Sequence, residues 1–350
     1  MSKEILQKWV CTKPFNYLDV QPDGKAFMCC PSWLPEDITH GGELTITEGW
    51  NSEKADKIRE SMIDGSFKYC DHTVCPEISE VLSNDESEGS QYMVRKENYT
   101  IPEKPMVEDI LYGQDRSCNM RCPSCRLDVI PNARVNSPEH KKKQAIQDEI
   151  EEQFGSTIKK VMLTGSGDPM YSKIYRDFLI NFDKAKYPSM EEIQIVTNGV
   201  LLNEKMWNSF NCKEFIKTFD ISFDAGTKDT FENVTRIGGD WDRMLTNIRY
   251  LISQTDIRRK FIFSFVVSEH NFREMSQCLE IIDEITADME HDLVVNFRQH
   301  LFWDTGAYSQ EQVDEIAVFE PEHPCHEEFL EHLTIMDKHS AVNHNFNHLL

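Results

Sequence analysis

From residue 106 onward the chain alternates short apolar runs with longer stretches of helical periodicity. Runs near 107–112, 158–163, 193–197, 218–223, 261–267 and 293–298 have the length and the β-branched or aromatic content of strands. Between them, amphipathic patterns near 138–153, 171–184, 203–210, 227–235, 240–253 and 272–286 predict helices, the first opened by Ser137-Pro138. Six strand–helix units at crossover spacing predict an α/β protein whose parallel sheet curves into a partial (β/α)6 TIM-type barrel. In such folds the chemistry lies at the C-terminal ends of the strands.

The first 80 residues follow another pattern. Tyr17-Leu18-Asp19-Val20-Gln21 and Lys25-Ala26-Phe27-Met28-Cys29 alternate around Pro22-Asp23-Gly24, which predicts a strand–turn–strand unit with Gly24 at positive φ. Residues 51–64 then have helical periodicity, with Asn51 or Ser52 as N-cap and Gly65 as the stop. The stretch 83–90 is acidic and rich in serine, as a solvated linker would be. The expected organisation is a small Cys-rich domain over 1–82, a linker over 83–105, the barrel over 106–305, and a C-terminal helical segment and tail over 306–350.

Cysteines change the picture most. Cys118, Cys122 and Cys125, spaced C-x3-C-x2-C, follow the first barrel strand and so fall on the rim where chemistry is expected. Three thiolates on one loop can hold three corners of a four-iron cluster and leave one iron open. Structural zinc would want a fourth ligand. Cys11, Cys29, Cys30, Cys70 and Cys75 flank the hairpin and the helix of the N-terminal domain and can converge on a second site, either an iron–sulfur cluster or a zinc knot.

Other strand ends carry polar groups at the same level: Gly165-Ser166-Gly167-Asp168-Pro169, Thr197-Asn198-Gly199, and Ser222-Phe223-Asp224-Ala225, whose hydroxyl and carboxylate should share one strand face. Glycines there admit a ligand close to the backbone, and Arg236 offers a fork for a carboxylate.

Composition narrows the partners. Lys plus Arg is 37 against 60 Asp plus Glu in 350 residues, a formal net charge of −23, so nucleic acid and anionic membrane surfaces are poor partners. No apolar run is long enough to span a bilayer and no signal segment opens the chain. Eleven cysteines then imply a reducing, cytoplasmic setting in which clustered thiols serve metal or catalysis.

Taken together, the three-cysteine loop, the Gly165–Pro169 element, Thr197-Asn198-Gly199, Ser222-Phe223-Asp224-Ala225 and the run from Thr227 through Arg236-Ile237-Gly238-Gly239 to Ile248 resemble the radical S-adenosylmethionine (SAM) enzymes. The resemblance spans about residues 106–300 and is to the branch with SPASM or twitch accessory domains; residues 11–75 resemble the auxiliary iron–sulfur module itself. It implies that Cys118, Cys122 and Cys125 hold a [4Fe–4S] cluster whose open iron chelates the amino and carboxylate groups of SAM. It places Ser166, Gly167 and Asp168 at the methionine amino group, and Asn198, Ser222 and Arg236 near the ribose or the methionine carboxylate. Cys11, Cys29 or Cys30, Cys70 and Cys75 would hold a second cluster, also of the [4Fe–4S] type.

The implied reaction is reductive cleavage of SAM to a 5′-deoxyadenosyl radical that abstracts hydrogen from a peptide or sugar-like substrate, ending in oxidation, crosslinking or epimerisation. A reductase, flavodoxin or ferredoxin would donate the electron. Three departures stand out: Ser124 where the family often has an aromatic beside the adenine, an accessory module that precedes the barrel, and four residues between Cys70 and Cys75, which lets His72 compete as a ligand.

Cys212, Cys278 and Cys325 belong to neither site. Cys278, inside an amphipathic pattern, reads as a buried structural thiol, and Cys325 as a candidate hydrogen donor. The tail histidines His332, His339, His344 and His348 read as solvated, and Phe302, Trp303 and Asp304 as pocket or core. The rival functions are an iron–sulfur electron-transfer or redox-sensing protein without SAM turnover, and a zinc-stabilised binding scaffold.

Overall fold

Gly24 takes φ +81°, a conformation closed to most side chains, and the chain reverses there as its Pro-Asp-Gly turn predicts. A computed structural model describes residues 2–83, 88–164, 166–302, 306–346 and 349. Gly165, Trp303, Asp304, His348 and the linker residues 84–87 lie outside the described residues. The chain divides into two compact units: one of residues 1–115, 133–162 and 183–191, the other of 116–132, 163–182 and 192–350.

The first unit contains α1 (Ser2–Leu6), β1 (Trp9–Cys11), α2 (Lys13–Asn16), β2 (Tyr17–Val20), β3 (Ala26–Phe27), α3 (Ile46–Trp50), α4 (Glu53–Ile63), α5 (Pro76–Ser83), β4 (Met93–Arg95), β5 (Asp109–Tyr112), α6 (Pro138–Phe154) and β6 (Lys160–Leu163). β2 and β3 form the expected hairpin, with Asp19 opposite Phe27. β2 also runs parallel to β5, with Leu18 opposite Ile110, so the strand order is β6-β5-β2-β3. A separate antiparallel pair sets Cys11 of β1 opposite Met93 of β4. The stretch 83–105 therefore carries a strand of its own.

Ser52, rather than Asn51, caps α4: its hydroxyl accepts from the Ala55 amide. Gly65 ends the helix at φ +76°, where a Cβ would sit 2.6 Å from the Gln7 Cα. Ala55, Ile58 and Met62 bury one face of the helix. Arg59 is buried beside them and donates to the carbonyls of Pro14 and Trp50.

The second unit continues with α7 (Lys173–Ile180), β7 (Glu192–Thr197), α8 (Glu204–Asn208), β8 (Ile216–Ser222), α9 (Lys228–Thr230), α10 (Trp241–Ile252), β9 (Lys260–Val267), α11 (Met275–Thr286), β10 (Asp292–Gln299), α12 (Gln310–Glu315), α13 (His326–Met336) and β11 (Val342–His344). Strands β7 to β11 lie side by side in chain order, every pair parallel. Their two faces differ by the period-2 rule. Phe219 packs on Trp207 and Phe261, and Phe223 on Trp241 and Phe263. Thr218, Asp220, Ser222 and Ser264 make the other face polar, and the Ser264 hydroxyl donates to Asp220 at 2.6 Å.

Two expectations are corrected here. Residues 227–235 do not form one α-helix: α9 lasts a single turn and Phe231–Thr235 is a π-turn, closed by the Arg236 amide on the Phe231 carbonyl. Such turns often mark functional positions, and this one delivers Arg236. Nor is the histidine-bearing tail solvated. His326, Phe329, Leu333 and Met336 recur at helical spacing and bury one face of α13, and β11 extends the sheet with a buried His344 opposite Phe297. Among the described residues no helix is long and apolar enough to cross a membrane.

Candidate functional site

The three-cysteine loop lies in the second unit. Cys118 and Cys122 are buried and Cys125 is half-buried. The Cys118 amide bonds the Ile130 carbonyl, and the amides of Cys125 and Arg126 both bond the Cys122 carbonyl, which folds the loop tightly. Burial pushes the Cys118 thiol up to about 12 and raises Cys122 as well, so neither is a free thiolate without a metal or a cation beside it. Two cations are present. Arg126 donates to Cys125 Sγ at 3.1 Å, to the Arg116 carbonyl and to the Ser166 carbonyl. Arg236 donates to Cys122 Sγ at 3.5 Å and pairs with Asp224. Burial works against the Arg236 charge, but Asp224 and Cys122 hold the guanidinium firmly protonated.

Asp168 organises the rim from a fully buried position. One carboxylate oxygen accepts from the amides of Met170 and Tyr171, the other from the Thr197 hydroxyl and the Asn198 amide. Burial pushes its pKa above the usual carboxylate range, while those four donors pull the other way. Asn198 continues the chain of contacts: its side-chain amide donates to Asn119 Oδ1 at 3.0 Å, inside the cysteine loop. The Ser166 amide and hydroxyl turn back onto Thr164.

Thr164 (φ 24°) and Asp224 (φ 53°) adopt left-handed backbone where non-glycine residues are uncommon. Each such residue costs on the order of 1–3 kcal/mol and needs surroundings that hold it. For Asp224 those are Arg236, the Val266 amide (2.8 Å to Oδ1) and Asn271, which donates to the Asp224 carbonyl. The strand ends at Ser222, so the expected shared face for Ser222 and Asp224 does not form; Asp224 turns to the arginine instead.

A cavity opens beside the cysteine loop, lined among others by Pro123, Ser124, Asp224, Val266, His300 and Tyr308. His300 is 4% exposed, yet neither ring nitrogen has a partner among the described residues. Burial and the nearby His270 lower its pKa, although Asp224 opposes them, so the ring is neutral at pH 7. Tyr308 meets it edge-on at 5.6 Å, and the neighbouring Ala307 amide bonds the Pro123 carbonyl at 2.8 Å.

In the first unit a second cavity is lined by Cys11, Cys29, Cys70 and Cys75, together with Lys13 and Trp33. Cys30 and His72 do not line it; His72 is exposed and bonds the Phe67 carbonyl at 3.0 Å. Burial pushes Cys11 up to about 12 and raises Cys29 further, with the Lys13 charge opposing the rise at both.

Comparison with known proteins bears on the cofactors of both regions. The description "Radical SAM superfamily" matches residues 116–282, and "Iron-sulfur cluster-binding domain" (SPASM) matches residues 11–76. Residues 116–282 carry a radical SAM domain. It is 28% identical over 172 residues to a GTP 3′,8-cyclase of Clostridium perfringens (strain 13 / Type A), covering 49% of this chain and 50% of that protein. Identity is 33% over 121 residues to a GTP 3′,8-cyclase of C. perfringens strain SM101, 35% and 36% of the two chains. A "Probable GTP 3′,8-cyclase" of Sulfurisphaera tokodaii is 25% identical over 187 residues, 53% and 55% of the two chains. The chain thus spans about half the length of these relatives, or less. A solved structure described as "Native anSMEcpe with bound AdoMet" is 13% identical with a TM-score of 0.38, covering 57% of this chain and 56% of that one.

A radical SAM protein carries a [4Fe–4S] cluster and SAM, and its SPASM domain binds auxiliary iron–sulfur, which sets the zinc knot aside. The residues here fit both groups. Two N–H-donating arginines flank the three-cysteine loop, and the Arg236 Nε is buried without a partner among the described residues. In the SPASM region a buried lysine faces a cavity lined with four sulfurs.

Of the residues singled out from the sequence, Cys122, Cys125 and Ser166 are joined through Arg236 and Arg126, Asp168 and Asn198 reach the loop through Asn119, and the Cys118 amide bonds Ile130. Gly167 stands between two of them. Ser222 ends β8 half-buried, away from the cavity lining. Cys325 is half-buried at the start of α13, its sulfur accepting from Arg273 at 3.4 Å, and it does not line the cavity. Cys278 is fully buried, and Cys212 bonds the Leu179 carbonyl. Sequence reasoning missed Lys13, Asn119, Arg126, His300 and Tyr308. An arginine directly after the third cysteine was a signal for Arg126; the others carried none.

Proposed function

We propose that this chain is a SAM-cleaving radical enzyme whose cluster is held by Cys118, Cys122 and Cys125, with Cys11, Cys29, Cys70 and Cys75 holding an auxiliary cluster. When bound, the cluster and SAM supply a one-electron cleavage of the sulfonium and a 5′-deoxyadenosyl radical that takes hydrogen from a substrate C–H bond. The observation that carries this reading is the three-thiol loop placed, with its two arginines, against a cavity that holds a buried, unpartnered imidazole.

Each residue then has a task. The Ser166-Gly167 turn meets the methionine amino group, and Asp168, its oxygens already spent, holds that turn in shape. Arg236 is spent on Asp224 and Cys122, so it steadies the cysteine loop rather than gripping the methionine carboxylate. Asn198 ties the rim to the loop. The cavity takes the nucleoside end: neutral His300 offers one donor and one acceptor, and Tyr308 an aromatic wall beside Ser124.

The substrate is a peptide or a sugar-like molecule. A nucleoside triphosphate, as the names of the relatives suggest for them, suits a chain of net charge −23 poorly. A flavodoxin, ferredoxin or reductase supplies the electron. The test is anaerobic incubation of reconstituted protein with SAM and dithionite. 5′-Deoxyadenosine should form, and C118A/C122A/C125A should abolish it. Iron and sulfide without any 5′-deoxyadenosine would instead mark an electron-transfer protein and overturn the reading.

A further inference from the structure

Lys13 begins α2, two residues after Cys11, and it is only 7% exposed. Burying a charge is costly unless something compensates it. Its ammonium stands over three rings, 4.5 Å from the Tyr92 centroid, 4.6 Å from Trp33 and 5.8 Å from Tyr17. Such contacts compensate part of that cost. The nearest carboxylate, Glu77, is 3.9 Å away, beyond hydrogen-bond distance. Among the described residues no oxygen bonds the Lys13 Nζ. What it does share is the cavity lined by Cys11, Cys29, Cys70 and Cys75.

We infer that Lys13 is the fixed countercharge of the auxiliary cluster and sets its reduction potential, an inference that rests on the four-thiol assignment above. The aromatic box prevents the ammonium from swinging out to water, so its field acts on the cluster at short range and is little screened. One-electron reduction adds a negative charge to the cluster. A cation held beside it stabilises the reduced form more than the oxidised form and raises the potential. Lys13 is thus a positioning residue for the potential, not a ligand.

The experiment uses the full-length C118A/C122A/C125A variant, reconstituted anaerobically, so that only the auxiliary cluster reports. Its midpoint is read by potentiometric titration followed by electron paramagnetic resonance, alone and with K13M, K13Q or K13R added. K13M and K13Q should shift the midpoint to lower potential, and K13R should stay near the parent. An iron-loaded K13M and K13Q pair that titrates at the parent's midpoint overturns the inference alone. A parent triple variant that holds no iron or sulfide overturns the four-thiol assignment beneath it.

Discussion

Nδ2 of Asn198 donates to Oδ1 of Asn119 across 3.0 Å, while the Asn198 backbone amide donates to Asp168. One residue at the end of β7 therefore fixes both the glycine-bearing turn and the cysteine loop. Truncating it to alanine should leave the iron content intact and weaken SAM binding roughly fivefold, about 1 kcal/mol for a lost internal hydrogen bond. Equilibrium dialysis of the reconstituted protein against SAM measures this. Wild-type affinity in Asn198→Ala would remove the tie from the account.

The Arg236–Asp224 pair should behave as a coupled unit. Asp224 is buried and Arg236 half-buried, so Arg236→Met leaves the Asp224 carboxylate stranded in the interior at about 3–5 kcal/mol. Asp224→Asn in the same chain removes the stranded charge and should return much of that loss. Anaerobic urea denaturation of the two single variants and the double variant closes the cycle. Equal instability of R236M and D224N/R236M would show that the charge is not what matters.

Asp19 makes stability depend on pH in an unusual sense. Burial pushes its carboxyl up to about 7, while the Gln21 amide, 2.6 Å away, pulls the other way. The folded state therefore keeps a proton that the unfolded state releases near pH 4. The associated stability is complete at low pH and is lost as pH rises from about 4 through about 7. Asp19→Asn stays neutral throughout, so it should be more stable than wild type by on the order of 4 kcal/mol at pH 8, with the gap narrowing as the pH falls and closing below about pH 4. A gap that does not change with pH would refute the shift.

Iron analysis discriminates between the adjacent cysteines. With two clusters the chain should hold about eight irons. Cys29→Ala should bring that to about four, and Cys30→Ala should leave it unchanged, because only Cys29 lines the four-thiol cavity. The opposite result would exchange their roles.

The six barrel strands were legible because their apolar runs have strand length and recur at crossover spacing. The hairpin was legible through its turn chemistry. Its parallel partner was not: 17–20 and 109–112 lie far apart in the chain, and period-2 alternation does not say which strand lies alongside. β11 escaped notice because Val342-Asn343-His344 is too short and polar to read as a strand. The cysteines could be read from their spacing, whereas the partners that hold them could not. Arg236 looked available for a ligand until Asp224, bent out of its strand at φ 53°, was found to occupy it. Lys13 gave no signal, since a lone lysine after a cysteine is ordinarily a surface residue.

The hydrogen bonds between β2 and β5 also bear on heredity and engineering. Excising residues 1–82 would strip a neighbour from β5 and bare a row of unpaired main-chain groups, an invitation to stick to other chains. The sulfur-rich N-terminal segment is therefore no cassette to be shuffled between proteins. It has to be inherited, and transplanted, together with the strand it is stitched to.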